Sequence, residues 1–140
     1  MITKKEFHRS LNQVIKKKDK VIVIYSNTSK LLNKFEYSKK LVPEILDLIE
    51  NFITKDRTLI LPSFSSSTFV KNQKFDLKRS IDNIGVLPKE ALKRNYFRTP
   101  QPLHSYLVLG KKVNETRKLS YKTSWGEGSI LEFMQKNNAR

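Results

Sequence analysis

Val21-Ile22-Val23-Ile24-Tyr25, followed at once by Ser26-Asn27-Thr28-Ser29, is the stretch on which the fold turns. Its apolar residues run on without alternation and are mostly β-branched, so they read as a strand buried on both faces. Four small polar residues then end it. A helical pattern follows: Leu41, Ile45, Leu48, Ile49 and Phe52 fall on one helix face, with Pro43 in the first turn, where no backbone donor is needed. After Thr54-Lys55-Asp56-Arg57 comes a second β-type run, Thr58-Leu59-Ile60-Leu61, which ends in Pro62-Ser63-Phe64-Ser65-Ser66-Ser67-Thr68-Phe69. Strand, crossover helix and strand of this length predict a parallel pair with a right-handed crossover. The two serine-rich loops would then lie side by side at the strand carboxyl ends, where open α/β sheets bind ligands. Backbone N–H groups and hydroxyls there suit a polar ligand, although the same small residues also simply make turns.

Upstream, Thr3-Lys4-Lys5-Glu6 has the form of a capping box, and Phe7, Leu11, Val14 and Ile15 follow on one face, which predicts a helix over residues 4–17. His8 lies off that stripe and reads as a solvated side chain. Lys16-Lys17-Lys18-Asp19-Lys20 leads into the first strand as a basic loop without interleaved aromatic residues. Downstream, residues 70–84 are basic and poorly periodic, and residues 86–94 read as a short helix.

Arg98-Thr99-Pro100-Gln101-Pro102-Leu103-His104-Ser105 then opens a third apolar strand, Tyr106-Leu107-Val108-Leu109, closed by Gly110. Each proline locks its own φ and pushes the preceding residue out of the helical region, so the chain approaches the strand extended or turning. Only two histidines occur in the chain, and His104 alone sits at a loop-to-strand junction, where a rigid element can hold it facing a cleft. Trp125-Gly126-Glu127-Gly128-Ser129 reads as a turn, and Ile130, Leu131, Phe133 and Met134 predict a final helix. The expected fold is α/β, a three-layer α/β/α arrangement with a mostly parallel sheet in one domain. It is apparently truncated, because no further strand follows.

With 140 residues, 38% hydrophobic and 29% charged, the chain has the composition of a folded domain with a real core. The absence of cysteine excludes disulfides and thiolate metal sites. No stretch has signal-peptide or membrane-span character, so the expected location is the cytoplasm, with no membrane partner. A net charge of +15 attracts polyanions and disfavours a polycationic substrate. A nucleic-acid-binding domain rests on that charge alone, since no helix-turn-helix, RRM or zinc signature is present.

These pieces together resemble the N-terminal half of the aminoglycoside 3-N-acetyltransferase family. Tyr25-Ser26-Asn27-Thr28-Ser29 stands where the family has a strand ending in His-Ser-Ser-Leu-Ser. Arg57-Thr58-Leu59-Ile60-Leu61-Pro62-Ser63-Phe64 matches its Gly-Thr-Leu-x-x-Pro-Thr-Phe, and Phe75-Asp76 with Gly85 matches a Phe-Asp element followed by glycine. The stretch from Arg98 to Ser105 matches Arg-Ser-x-His-Pro-x-His-Ser, and Gly126-Glu127-Gly128-Ser129 matches Gly-x-Gly-Ser. The matches keep their order across residues 20–135. Departures are Tyr25 for a histidine, Gln101 for the first histidine of the later motif, and Ile81 for a proline. The family's chains are roughly twice as long, and their second half adds substrate contacts.

The resemblance implies acetyl transfer from acetyl-CoA to an amine of an amino sugar, without a metal. An attacking amine must lose a proton, and histidine is the usual base near neutral pH. His104 is the candidate base, and Ser105, Ser63 or Ser65 are candidate donors to the developing oxyanion. Ser26, Asn27, Thr28, Ser29 and Lys30, with Ser63, Phe64 and Ser65, are the candidate CoA-binding residues. The charge favours an amino sugar carried on a nucleotide or in a surface polysaccharide over a free aminoglycoside; antibiotic modification is the family's other implication. The alternatives are a fragment that needs a protein partner or self-association to complete its sheet, and a basic nucleic-acid-binding domain.

Overall fold

The computed structural model describes residues 2–27, 30, 33, 35, 40–53, 56–66, 71, 74–79 and 85–140. Thr28, Ser29 and Ile81 lie outside the described residues. The first helix, α1 (Lys4–Val14), starts as its sequence dictates: the Thr3 side chain accepts from the Glu6 N–H, and the Glu6 carboxylate accepts from the Thr3 N–H. It stops three residues short of expectation, and Val14 points to solvent while Ile15 turns inward. The first strand, β1 (Val21–Val23), is also shorter than its apolar run, though the Ile24 N–H still donates to Ile60 O at 3.0 Å.

The crossover helix α2 (Leu41–Ile53) buries Leu41, Ile45, Leu46, Ile49, Phe52 and Ile53; of the stripe its spacing predicts, Leu48 is only half-buried, and Leu46 and Ile53 join it. Its partner strand β2 (Thr58–Pro62) is buried along its whole length and pairs in parallel with β1, Val21 facing Thr58 and Val23 facing Ile60. Further on come α3 (Val86–Ala91), β3 (Phe97–Arg98), β4 (Tyr106–Gly110), α4 (Val113–Arg117) and α5 (Ile130–Lys136).

The strands order as β1-β2-β4-β3, and here the expectation of a mostly parallel sheet is corrected. Only β1 and β2 are parallel; β4 runs antiparallel to β2, with Tyr106 opposite Pro62 and Gly110 opposite Thr58, and β3 runs antiparallel to β4. The reason is the short link: residues 99–105 cannot carry a parallel crossover, which needs about a dozen residues or more, so β3 and β4 form a hairpin. The apolar run of residues 106–109 specified burial, which says nothing about strand direction.

Three layers are present. Ile22, Leu59, Leu61 and Leu107 face α2 and α3, with Phe7 and Leu11 of α1 packed at the margin. Val21, Ile60, Tyr106 and Val108 face Ile130, Phe133 and Met134 of α5. The alternation of Leu59, Ile60 and Leu61 between the two faces is the two-residue period of a strand. Gly110 is required where β4 ends: its φ is +112°, and a Cβ there would lie 2.2 Å from Arg57 O. Beyond β1, the Arg140 N–H donates to Val21 O at 3.0 Å and Arg140 O accepts from Val23 N–H at 2.8 Å. That is the parallel bonding pattern, on the side of β1 away from β2. No described helix is long and apolar enough to cross a membrane.

Candidate active site

The parallel pairing of β1 and β2 sets their carboxyl ends at one edge of the sheet, and antiparallel β4 begins at that same edge. Three loops therefore meet there: the one after Val23, the one after Pro62, and the link that carries His104. Their contacts are specific. Ser63 N–H donates to Ser105 O at 2.9 Å, the Ser65 hydroxyl donates to Pro102 O, and the phenols of Tyr25 and Tyr106 lie 2.9 Å apart. Burial and the Tyr25 contact push the Tyr106 phenol well above its ordinary pKa.

His104 is half-buried between two aromatic rings. Phe64 meets it edge-on with ring centres 5.4 Å apart, and Trp125 lies at 5.3 Å from the other element, the turn before α5. Phe64 in turn packs edge-on against Tyr106 at 5.4 Å. His104 Nδ1 is shielded from solvent and has no hydrogen-bond partner. A buried polar atom left in that state costs about 1–3 kcal/mol, so the ring is held there by its neighbours and not by Nδ1. Gln101 sets the backbone: its side-chain oxygen accepts from Leu103 N–H at 2.8 Å and His104 N–H at 3.0 Å, closing the turn that aims the imidazole. The residue that replaces the resembled family's first histidine is thus a turn cap in this chain.

Behind this surface sits Arg98, at the end of β3. Its guanidinium reaches Ser105 Oγ from Nη2 at 3.1 Å and from Nε at 3.3 Å, Ser63 O from Nη2 at 2.8 Å, and Leu77 O from Nη1 at 3.0 Å. The Phe75 ring covers it at 4.9 Å. Burial lowers its pKa to about 10, with the Asp76 charge opposing, so it stays a cation at neutral pH. The Ser105 hydroxyl donates to Ser63 O and stands 3.1 Å from Ser63 Oγ.

The candidate residues therefore divide. Ser26, Asn27 and Lys30 are at the surface or half-exposed at the carboxyl edge, and His104 and Phe64 are half-buried beside them. Ser63, Ser65 and Ser105 are fully buried, with hydroxyls spent on the loop framework. The sequence reading missed Arg98 as the hub of that framework, Tyr106 as the tie to the first loop, and Trp125 as a wall of the histidine pocket. Among 28 lysines and arginines, composition and charge alone do not single out the buried Arg98.

Solved structures of aminoglycoside acetyltransferases share this fold. A structure of the AAC-IIIb enzyme in binary complex with CoASH superposes with a TM-score of 0.73 at 17% identity, over 96% of this chain and 56% of that one. AAC-VIa bound to sisomicin gives 0.71 at 12% identity over 99% and 57%, and the YokD protein from Bacillus subtilis 0.74 at 16% over 95% and 60%. At such identities the likeness is one of fold, and the chain spans less than two thirds of those structures' own length. Sequence comparison finds no matching family model and no matching curated protein.

Proposed function

We propose that this chain forms the acetyl-CoA-binding side of an N-acetyltransferase whose acceptor is an amine of an amino sugar. The observation that carries the reading is His104, held by Gln101 and two aromatic rings at the meeting point of three strand-end loops. With Nδ1 enclosed, Nε2 is the nitrogen that takes the proton from the attacking amine. Lys30 and the polar groups of Ser26, Asn27, Thr28 and Ser29 hold the phosphates of CoA, and Phe64 supplies an apolar wall for its arm. Ser63, Ser65 and Ser105 keep the second loop in shape beside the imidazole, leaving the Phe64 N–H between the bonded Ser63 and Ser65 N–H groups as the donor for the oxygen on which negative charge develops. The fold shared with a CoASH-bound acetyltransferase and a sisomicin-bound one supports the donor and acceptor classes. The net charge of +15 favours an amino sugar linked to phosphate over a free polycation.

A second reading is favoured by Arg140. Its two bonds to β1 follow the parallel pattern, which supports a further strand, from the same polypeptide or a partner, pairing beside the first loop. Titration calorimetry with acetyl-CoA, paired with a turnover assay on nucleotide-linked amino sugars and aminoglycosides, tests both. The expected result is binding by the chain and by His104→Ala, with turnover lowered about 10²–10⁴-fold in the variant. No heat at millimolar acetyl-CoA would exclude the chain as a stand-alone enzyme, and preferred turnover of free aminoglycosides would exclude the phosphate-linked acceptor.

A further inference from the structure

Along the open edge of the sheet, outside β3, runs a cleft of about 660 Å³. Its walls are the 92–97 segment that follows α3, the turn at Leu77 and Lys78, and Arg117 at the end of α4. Among the described residues the lining contains five cations, Lys78, Lys93, Arg94, Arg98 and Arg117, and no carboxylate. Three of the five are engaged. Arg94 is paired with Asp47 at 2.7 Å and Glu50 at 2.8 Å, Lys93 with Glu90 at 2.9 Å, and Arg98 holds the loop framework described above.

Lys78 and Arg117 differ. Both are exposed, and neither has an ion pair among the described residues. The Arg117 guanidinium lies over the Phe97 ring at 5.2 Å, which holds it at the cleft wall. The carboxylate of Asp76, next along the chain, is already bound by the N–H groups of Lys78 and Arg79 at 2.7 and 3.1 Å. Cations lining one concave surface, with no carboxylate among its described lining residues, concentrate positive potential there. The volume falls in the range of small-molecule sites and is far more than one phosphate needs. Tyr96 and Phe97 add aromatic surface. A pairing β-strand is the poorer occupant, since β3 has two residues and offers little backbone.

We infer that this cleft binds a phosphorylated metabolite of nucleoside diphosphate size, with its phosphates between Lys78 and Arg117. It is a site separate from the strand-end loops. Arg98 lines the cleft and grips Ser105 with the same guanidinium, so one side chain divides the two.

The probes are inorganic pyrophosphate and uridine diphosphate, titrated into the full chain by calorimetry at low and moderate salt. Both are expected to bind, and K78A/R117A is expected to weaken each by about tenfold or more, since each charge-assisted phosphate contact is worth over 1 kcal/mol. K17A/K18A removes the same charge from the basic loop before β1 and is expected to leave binding within about twofold. Thermal unfolding of each variant at unchanged temperature shows that the fold is intact. Three results overturn the assignment: no binding of either probe, equal weakening by K17A/K18A, or displacement of pyrophosphate by CoA. The last would make the cleft part of the donor site proposed above, while failure of acetyl-CoA to bind leaves it untouched.

Discussion

Replacing Arg98 by methionine removes the guanidinium while nearly conserving side-chain volume, and its effect can be worked from the contacts. Three strong bonds disappear: to Ser63 O at 2.8 Å, to Leu77 O at 3.0 Å and to Ser105 Oγ at 3.1 Å. Hydrogen bonds to a charged group contribute about 1.5–3 kcal/mol each, so the gross loss is roughly 5–9 kcal/mol. Against it stands the cost of burying the charge, seen in a pKa lowered from 12.5 to about 10, which is on the order of 3 kcal/mol. The acceptors are not all stranded, because Ser63 O keeps its bond from the Ser105 hydroxyl and Leu77 lies at an exposed turn that water can reach. The net expectation is destabilisation by about 2–5 kcal/mol, measured as a fall in the urea midpoint at constant slope. Loss of the Leu77 bond also frees the turn from the sheet, so trypsin should cut after Lys78 and Arg79 faster in the native state. Arg98→Lys keeps the charge but gives up the planar fork, and should lose about half as much. A fall of less than about 1 kcal/mol in R98M, with unchanged cleavage, would refute the view that Arg98 holds the site together.

Gly110→Ala should be among the most damaging single-atom additions in the chain, costing about 2 kcal/mol or more, because its Cβ would meet Arg57 O at 2.2 Å on a backbone with φ of +112°; thermal melting reads it directly. Gln101→Ala strands the N–H groups of Leu103 and His104, and should cost about 1 kcal/mol in stability while raising KM or lowering kcat through a misaimed imidazole; an unchanged kcat/KM would show that the cap is structural only. Tyr96, Tyr106 and Tyr121 all have phenol pKa values raised by burial. Their native forms keep protons that the unfolded chain loses, so stability is intact below about pH 10 and falls as pH rises above it. Arg98 works in the opposite sense over the same range, since its folded pKa lies below its unfolded one. Absorbance at 295 nm should show the three phenols ionising together with alkaline unfolding, and early, reversible ionisation of all the tyrosines in the folded chain would contradict their burial.

The parts of this fold that could be read from the sequence are those in which local chemistry and burial agree. Thr3 and Glu6 cap α1 because the two side chains satisfy each other's backbone donors within one turn. The β1–α2–β2 unit follows from an unbroken β-branched run, a helical stripe and a second run, with the length of crossover that a parallel pair needs. The same reasoning placed the loops of Ser26 and Ser63 at one edge. It failed for β4, whose residues are buried on both sides of the sheet just as β2 is, although it runs the other way. The seven-residue link sets β4 only against β3, and β3 itself, at two residues, is too short to leave a pattern; the direction of β4 against β2 is set by the longer path between them.

The site divides along the same physical line. His104 stands out in the sequence as a rare residue at a loop-to-strand junction just after two prolines, whereas its neighbours are set by tertiary contact. Phe64 and Trp125 come from segments about 40 and 20 residues away and reach the imidazole only when β2 and the turn before α5 are folded. Ser63 and Ser105 look like chemistry in the sequence and serve as framework in the structure, since full burial leaves their hydroxyls no partner but the protein. Arg98 shows the converse: a residue type that composition assigns to solvent carries the tightest network in the chain. One cation thus organises the edge where His104 stands, while Lys78 and Arg117 line a cleft with no carboxylate among its described lining residues. Positive charge in this protein is therefore a matter of position, and a total of +15 would predict neither its buried use nor its open one.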